Sequence, residues 1–188
     1  METRKARIVL GVTGSTAASK AQSIALALQR CGFEVRVAMT ASAKKFVTPM
    51  LLASVVKDPV YGDLWSDEQG GERHIEWAAW ADAMVIAPAT ASVIASLWQG
   101  TFDSPVTLVA GNIKPEKVFI APAVSKEMWE HPAVARNVEA LKGFGYQFIG
   151  PLLGPVASGA IGMRLIEPRD VAIAISEKLS ATSLSVNS

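Results

Sequence analysis

Apolar positions along the chain follow two rhythms. Residues 8–12, 83–87 and 118–122 are short, nearly continuous apolar runs, as expected of strands buried on both faces of a parallel sheet. Residues 33–39 alternate apolar and polar, and 146–150 complete the set as a last strand. Between these runs, apolar residues recur at helical spacing: Ala17, Ala18, Ala21, Ile24, Ala25 and Leu28, then 43–55, 92–99 and 133–142. A final helix over 169–179 would turn Val171, Ile173, Ile175 and Leu179 inward. A helix-like turn at His74 leads into the third strand, and 106–110 fits a helix or a strand equally well. Strands alternating with helices predict an α/β fold. We expect a Rossmann-like, doubly wound parallel sheet in three α/β/α layers, forming a single domain over 1–179 with a disordered tail at 180–188.

The segments between elements are uneven. Residues 58–72 read as loop with one short strand, in which Tyr61 and Trp65 are expected as packing lids. Residues 152–168, rich in Gly and Pro, read as a mobile loop or flap carrying Arg164. The single cysteine, Cys31, precedes the helix-stopping Gly32 and is expected as a small buried packing residue.

Composition narrows the picture. Half of the 188 residues are hydrophobic and the mean hydropathy is +0.28, more apolar surface than one monomer core needs, so an oligomer is expected. A net charge of +1 without basic clusters argues against nucleic acid. No run is long enough to span a bilayer and the N-terminus does not read as a signal peptide, so a cytoplasmic protein is expected. One cysteine cannot build an internal disulfide and suits that compartment. No metal site is expected.

Candidate chemistry gathers where strands end. In an open parallel sheet, ligands bind at the carboxyl edge. Thr13-Gly14-Ser15-Thr16 follows the first strand and opens a helix, which suits either an anion at the helix N-terminus or an ordinary capped turn. Thr40-Ala41-Ser42 follows the second strand in the same way, and two such turns on adjacent units would converge on one phosphate. Pro88-Ala89-Thr90-Ala91-Ser92 follows the third strand, and His74, one element upstream, could fold over the same edge as an acid or base.

These segments together resemble the flavin-containing cysteine decarboxylases. That family includes phosphopantothenoylcysteine decarboxylase and the peptidyl-cysteine decarboxylases of lantibiotic-type peptide maturation. The resemblance runs from Ile8 to Pro168. It is carried by Gly11-Val12-Thr13-Gly14-Ser15, Thr40-Ala41-Ser42-Ala43, His74-Ile75-Glu76 with Trp80-Ala81-Asp82, Pro88-Ala89-Thr90-Ala91-Ser92, and Pro122 through Met128-Trp129. It implies a homotrimer, or a dodecamer of trimers, with FMN between subunits. Gly14 and Ser15 would form the phosphate turn and Thr40 and Ser42 its second wall. Phe46 would pack on the flavin, and Ala87, Thr90, Ala91 and Ser92 would face its ring. His74 matches the family's catalytic histidine, and Ser125, Met128 and Arg164 would contact the substrate.

Three departures stand out. Ser92 replaces the asparagine of the family's Pro-Ala-Ser-Ala-Asn-Thr motif, and Ser125 replaces the asparagine that in the family holds the substrate carboxylate. A hydroxyl is shorter and loses one hydrogen bond, so Lys126 or Arg164 would share the task. In the flap, Ala157-Ser158-Gly159 stands where phosphopantothenoylcysteine decarboxylase has Ala-Cys-Gly.

The last departure bears on chemistry. A cysteine carboxylate that loses CO₂ needs an electron sink, and a thiol offers none; two-electron oxidation of its CH₂–SH unit by a flavin gives a thioaldehyde that does. Decarboxylation then leaves an enethiol, with His74 as the base on the thiol. In the coenzyme A branch of the family the reduced flavin then reduces this enethiol, with the flap cysteine as the acid for that step, and a serine is too weak an acid to replace it. The sequence therefore predicts FMN-dependent oxidative decarboxylation of the C-terminal cysteine of a ribosomal precursor peptide, giving an aminoenethiol in natural product biosynthesis. The alternatives are a phosphopantothenoylcysteine decarboxylase of coenzyme A biosynthesis and a non-catalytic flavin-binding regulatory subunit.

Overall fold

The computed structural model describes residues 4–65, 72–155, 159 and 161–185. Its centre is a five-stranded parallel sheet in the order β2-β1-β3-β4-β5, formed by β1 (Arg7–Val12), β2 (Glu34–Met39), β3 (Ala83–Ala89), β4 (Val118–Pro122) and β5 (Gln147–Phe148). β3 and β4 are buried along their whole length, which explains their unbroken apolar sequence. The chain leaves β1 towards β2 on one side and returns to β3 on the other, so the connections reverse at the β1/β3 boundary. That reversal opens a crevice at the carboxyl ends of the strands.

Helices cover both faces. Alternate residues of β1 divide between two cores: Ile8, Leu10 and Val12 join the cluster of α1 (Ala21–Arg30), α2 (Pro49–Val56) and α8 (Pro168–Ser185), and Val9 joins the other. The second cluster holds Trp77 of α3 (Arg73–Trp80), together with residues of α4 (Ala91–Gln99), α5 (Pro105–Gly111) and α7 (Pro132–Gly143). The short helix α6 (Lys126–Glu130) follows β4.

Several boundaries differ from expectation for identifiable reasons. The undecided segment after Ser104 is helix α5: the Ser104 hydroxyl accepts from the Thr107 N–H, and the Thr107 hydroxyl accepts from the Ser104 N–H. The expected helix over 43–55 splits into a 3-10 turn (Ala43–Lys45) and α2, because Thr48 caps a new helix starting at Pro49. The last strand pairs over two residues only.

The expected flap over 152–168 contains an antiparallel hairpin, β6 (Leu152–Pro155) with β7 (Ile161–Arg164). α8 runs past Leu179 to Ser185, into the expected tail, and Ile173 points out rather than in. Cys31 is exposed, since it stands just beyond the last turn of α1. Of the two expected lids, Tyr61 is buried and extends the sheet beside β2, whereas Trp65 is 91% exposed. Among the described residues, no helix is long and apolar enough to cross a membrane, and no cluster could hold a metal ion.

Candidate active site

The carboxyl edge of the sheet is tied together by Thr13. Its buried hydroxyl donates to the Pro88 carbonyl at 2.7 Å and accepts from the Thr90 N–H at 3.1 Å, so the ends of β1 and β3 are locked at the crevice. Thr90 in turn caps α4 by accepting from the Val93 N–H. The hydroxyl-rich composition of these turns thus has a structural use and also leaves polar groups at the rim.

Gly14 follows Thr13 and meets the turn after β2. A Cβ on residue 14 would lie 2.4 Å from the Ser42 hydroxyl oxygen, closer than real atoms approach. Ser42 is held in turn by Thr40, whose hydroxyl lies 3.1 Å from its own. The two turns therefore converge, and only glycine fits between them. Ser15 caps the 3-10 turn Thr16–Lys20, its hydroxyl accepting from the Ala17 N–H.

A cavity of about 570 Å³ opens beside this turn. Its walls are the Gly14-to-Lys20 segment, the exit of β4 with Ser125 and Met128, and the β6–β7 hairpin with Met163 and Arg164. The hairpin is fixed over it because Val124 and Met163 exchange two backbone hydrogen bonds of 3.1 Å. Ser125 caps α6, accepting from the Met128 N–H at 3.2 Å, which leaves its own O–H free to donate.

Arg164 crosses Gly154 closely and reaches Glu167 at 2.7 Å, and Lys20 reaches the same carboxylate at 3.3 Å. The Lys20 hydrogen bond first, and Arg164 with it, holds the Glu167 carboxyl below its ordinary value.

Five of the expected site residues, Gly14, Ser15, Ser125, Met128 and Arg164, therefore line one cavity. Thr40 and Ser42 stand immediately behind Gly14. Phe46 is 46% exposed beyond Ser42, and Thr90, Ala91 and Ser92 form the start of α4. Ala87 has no exposed surface and belongs to the core cluster that also holds residues of α1.

His74 is not brought to the cavity either. It sits at the start of α3, whose Trp77 packs edge-on against Tyr61 on the other face of the sheet, and its Nδ1 is buried without a hydrogen-bond partner among the described residues. Ser158 lies outside the described residues. Sequence reasoning missed Lys20 and Glu167. The signal available was a cation ending the turn that begins at Gly14, and a carboxylate just after Arg164.

Comparison with known proteins places these features in context. A family model described as Flavoprotein matches residues 1–180. The chain is 38% identical over 169 residues to the probable phosphopantothenoylcysteine decarboxylase of Streptococcus mutans serotype c, covering 89% of this chain and 94% of that one. It is also 38% identical over 175 residues to the coenzyme A biosynthesis bifunctional protein CoaBC of Bacillus subtilis. That alignment covers 91% of this chain but 42% of the bifunctional protein.

Among solved structures, a PPC decarboxylase carrying a cysteine-to-serine mutation, complexed with pantothenoylaminoethenethiol, superimposes with a TM-score of 0.83. Identity there is 29%, over 94% of this chain and all of that one. The FMN-dependent cysteine decarboxylase SpaF gives a TM-score of 0.80 at 31% identity, over 95% of this chain and 97% of that one.

Proposed function

The chain belongs to the flavoprotein family, with FMN as its cofactor, and from that premise we propose that it decarboxylates an N-acylated cysteine at its free carboxylate, with phosphopantothenoylcysteine as the substrate. The observation that carries this reading is the convergence of the Gly14 turn, Ser125, Met128 and Arg164 on one cavity. The substrate assignment is supported by the Streptococcus mutans relative, aligned over nearly its whole length.

The residues present fit FMN. Ser42 fills the place a Cβ on residue 14 would take, so the turns after β1 and β2 meet directly, with Gly14 and Ser15 lining the cavity and the hydroxyls of Thr40 and Ser42 behind them. Those groups would hold the phosphate. Phe46, Thr90, Ala91 and Ser92 would border the flavin ring. When bound, FMN supplies the two-electron acceptor that makes a thiocarbonyl of the cysteine CH₂–SH.

The chain's own residues orient and deprotonate. Ser125 donates its O–H to the substrate carboxylate, Arg164 adds positive charge beside it, and Met128 packs on the acyl chain. His74 removes the thiol proton. Because His74 does not line its own cavity and Trp77 of its helix joins the core on the other face of the sheet, it serves the cavity of a neighbouring subunit, in a trimer or an assembly of trimers. Exposed Phe46, Met50 and Ile75 give such an assembly apolar surface to bury. Ser158 is too weak an acid to supply the proton with which a reduced flavin would reduce the product, so the reaction ends at the aminoenethiol and the two electrons pass from the flavin to an external oxidant such as O₂. The cysteine-to-serine PPC decarboxylase, which holds pantothenoylaminoethenethiol, supports that ending.

A second reading, a precursor peptide ending in cysteine as substrate, is favoured by Ser125 and Ser158 and by the likeness to SpaF. Rates of CO₂ release from phosphopantothenoylcysteine and from short peptides ending in cysteine test the two. Faster release from the first supports the proposal, and release only from peptides replaces it with the second. Release from neither, with flavin bound, points to a non-catalytic flavin-binding protein.

A further inference from the structure

Lys20 has no role so far. It ends the 3-10 turn that begins beyond Gly14, and it lines the same cavity as Ser125 and Arg164. Two cations there share one carboxylate. Arg164 donates to Glu167 Oε1 at 2.7 Å, whereas the Lys20 Nζ reaches the two Glu167 oxygens at 3.3 Å each. The trio therefore presents one net positive charge, and no acidic side chain lines the cavity among the described residues.

The distances decide which cation is available. A charge-assisted bond is strong when short, and 3.3 Å is beyond its usual length. Lysine carries three donors on a flexible stem, so Lys20 can turn from Glu167 while Arg164 keeps that carboxylate satisfied. Ser125 has a complementary deficit. Its oxygen already accepts from the Met128 N–H, and its single O–H can serve only one oxygen of an incoming carboxylate.

We propose that Lys20 is the specificity-determining cation of the cavity, binding the carboxylate of the reacting cysteine alongside Ser125. The inference rests on the cysteine-carboxylate reading above. It gives the shorter side chain at position 125 the second donor it lacks, from another wall segment of the same cavity.

The test uses the flavin-loaded protein and its Lys20→Gln and Lys20→Arg variants. Binding of phosphopantothenoylcysteine and of a short peptide ending in cysteine is measured by calorimetry, each as free acid and as carboxamide, with initial rates for the acids. The wild type prefers the acids. Lys20→Gln lowers that preference about tenfold, the scale of one charge-assisted hydrogen bond, raising KM with kcat little changed and flavin absorbance intact. Lys20→Arg keeps most of the preference.

A Lys20→Gln protein that keeps its flavin and discriminates acid from amide like the wild type overturns the inference. So does an equal weakening of acid and amide confined to the phosphorylated pair, which would place Lys20 on the phosphate, and so does loss of flavin. A wild type that releases CO₂ from neither acid overturns the substrate reading itself, and the inference with it.

Discussion

Gly14 and Ser42 pack so closely that a Cβ on residue 14 would lie 2.4 Å from the Ser42 hydroxyl oxygen and 2.5 Å from its Cβ. Gly14→Ala must push apart the turns after β1 and β2. It is expected to cost about 1–3 kcal/mol in thermal or denaturant unfolding and to release bound flavin, read by absorbance. Gly14→Ala with Ser42→Gly removes both colliding atoms, so it should recover the stability. A Gly14→Ala protein that stays yellow and as stable as the wild type would show that the two turns do not form the phosphate cradle.

Thr13 supports the same edge from within. Thr13→Val keeps the shape but strands the Pro88 carbonyl and the Thr90 N–H. One buried and one partly buried backbone group without partners should destabilise the fold by about 1–3 kcal/mol, and the loosened β3–α4 turn should weaken flavin binding. Chemical denaturation with flavin titration measures both.

His74 is expected to act on chemistry and not on cofactor binding. His74→Asn should lower the rate of CO₂ release about a hundredfold or more while the flavin spectrum and oligomer size stay unchanged. Mixing His74→Asn subunits with subunits defective at Ser125 should restore part of the activity if each cavity takes its base from a neighbour. No complementation, with mixed oligomers demonstrated, would place base and cavity in one subunit.

Glu167 links the 3-10 turn, the hairpin and the start of α8 through Lys20 and Arg164. Its folded pKa is depressed from the ordinary 4.5, with the Lys20 hydrogen bond as the largest cause. Its contribution to stability is therefore fully present above that value and lost as pH falls through the lower folded pKa. Melting curves of the wild type and Glu167→Gln should differ at neutral pH and converge in acid below 4.5. A gap that widens in acid would contradict the pairing.

What the sequence made legible was the part fixed by local chemistry. β1, β3 and β4 are legible because a two-sided parallel sheet demands unbroken apolar runs, β2 is legible by its alternation, and the hydroxyl-rich exits of β1, β2 and β3 mark the ligand edge. The β6–β7 hairpin is hidden because Gly154, Pro155 and the glycines around residue 160 read as loop punctuation, and its attachment to the segment just after β4 is a tertiary pairing of Val124 with Met163. Lys20 is not marked by local pattern, since its relation to Arg164 depends on a contact across 147 positions through Glu167. Residue type alone predicts a buried Cys31, but its place just past the end of α1 leaves it exposed. The place of His74 on the opposite face also depends on topology, which spacing along the chain does not encode.

The most direct test of the account is the mass of the product. Flavin-loaded protein is incubated in air with phosphopantothenoylcysteine, and in parallel with a peptide ending in cysteine, and the thiol products are trapped and weighed by mass spectrometry. Loss of CO₂ together with two hydrogens from phosphopantothenoylcysteine is the predicted result, because Ser158 cannot supply the proton needed for a reduced flavin to reduce the enethiol, and O₂ takes the electrons instead. Loss of CO₂ alone, or an unchanged substrate beside a bound flavin, would contradict it.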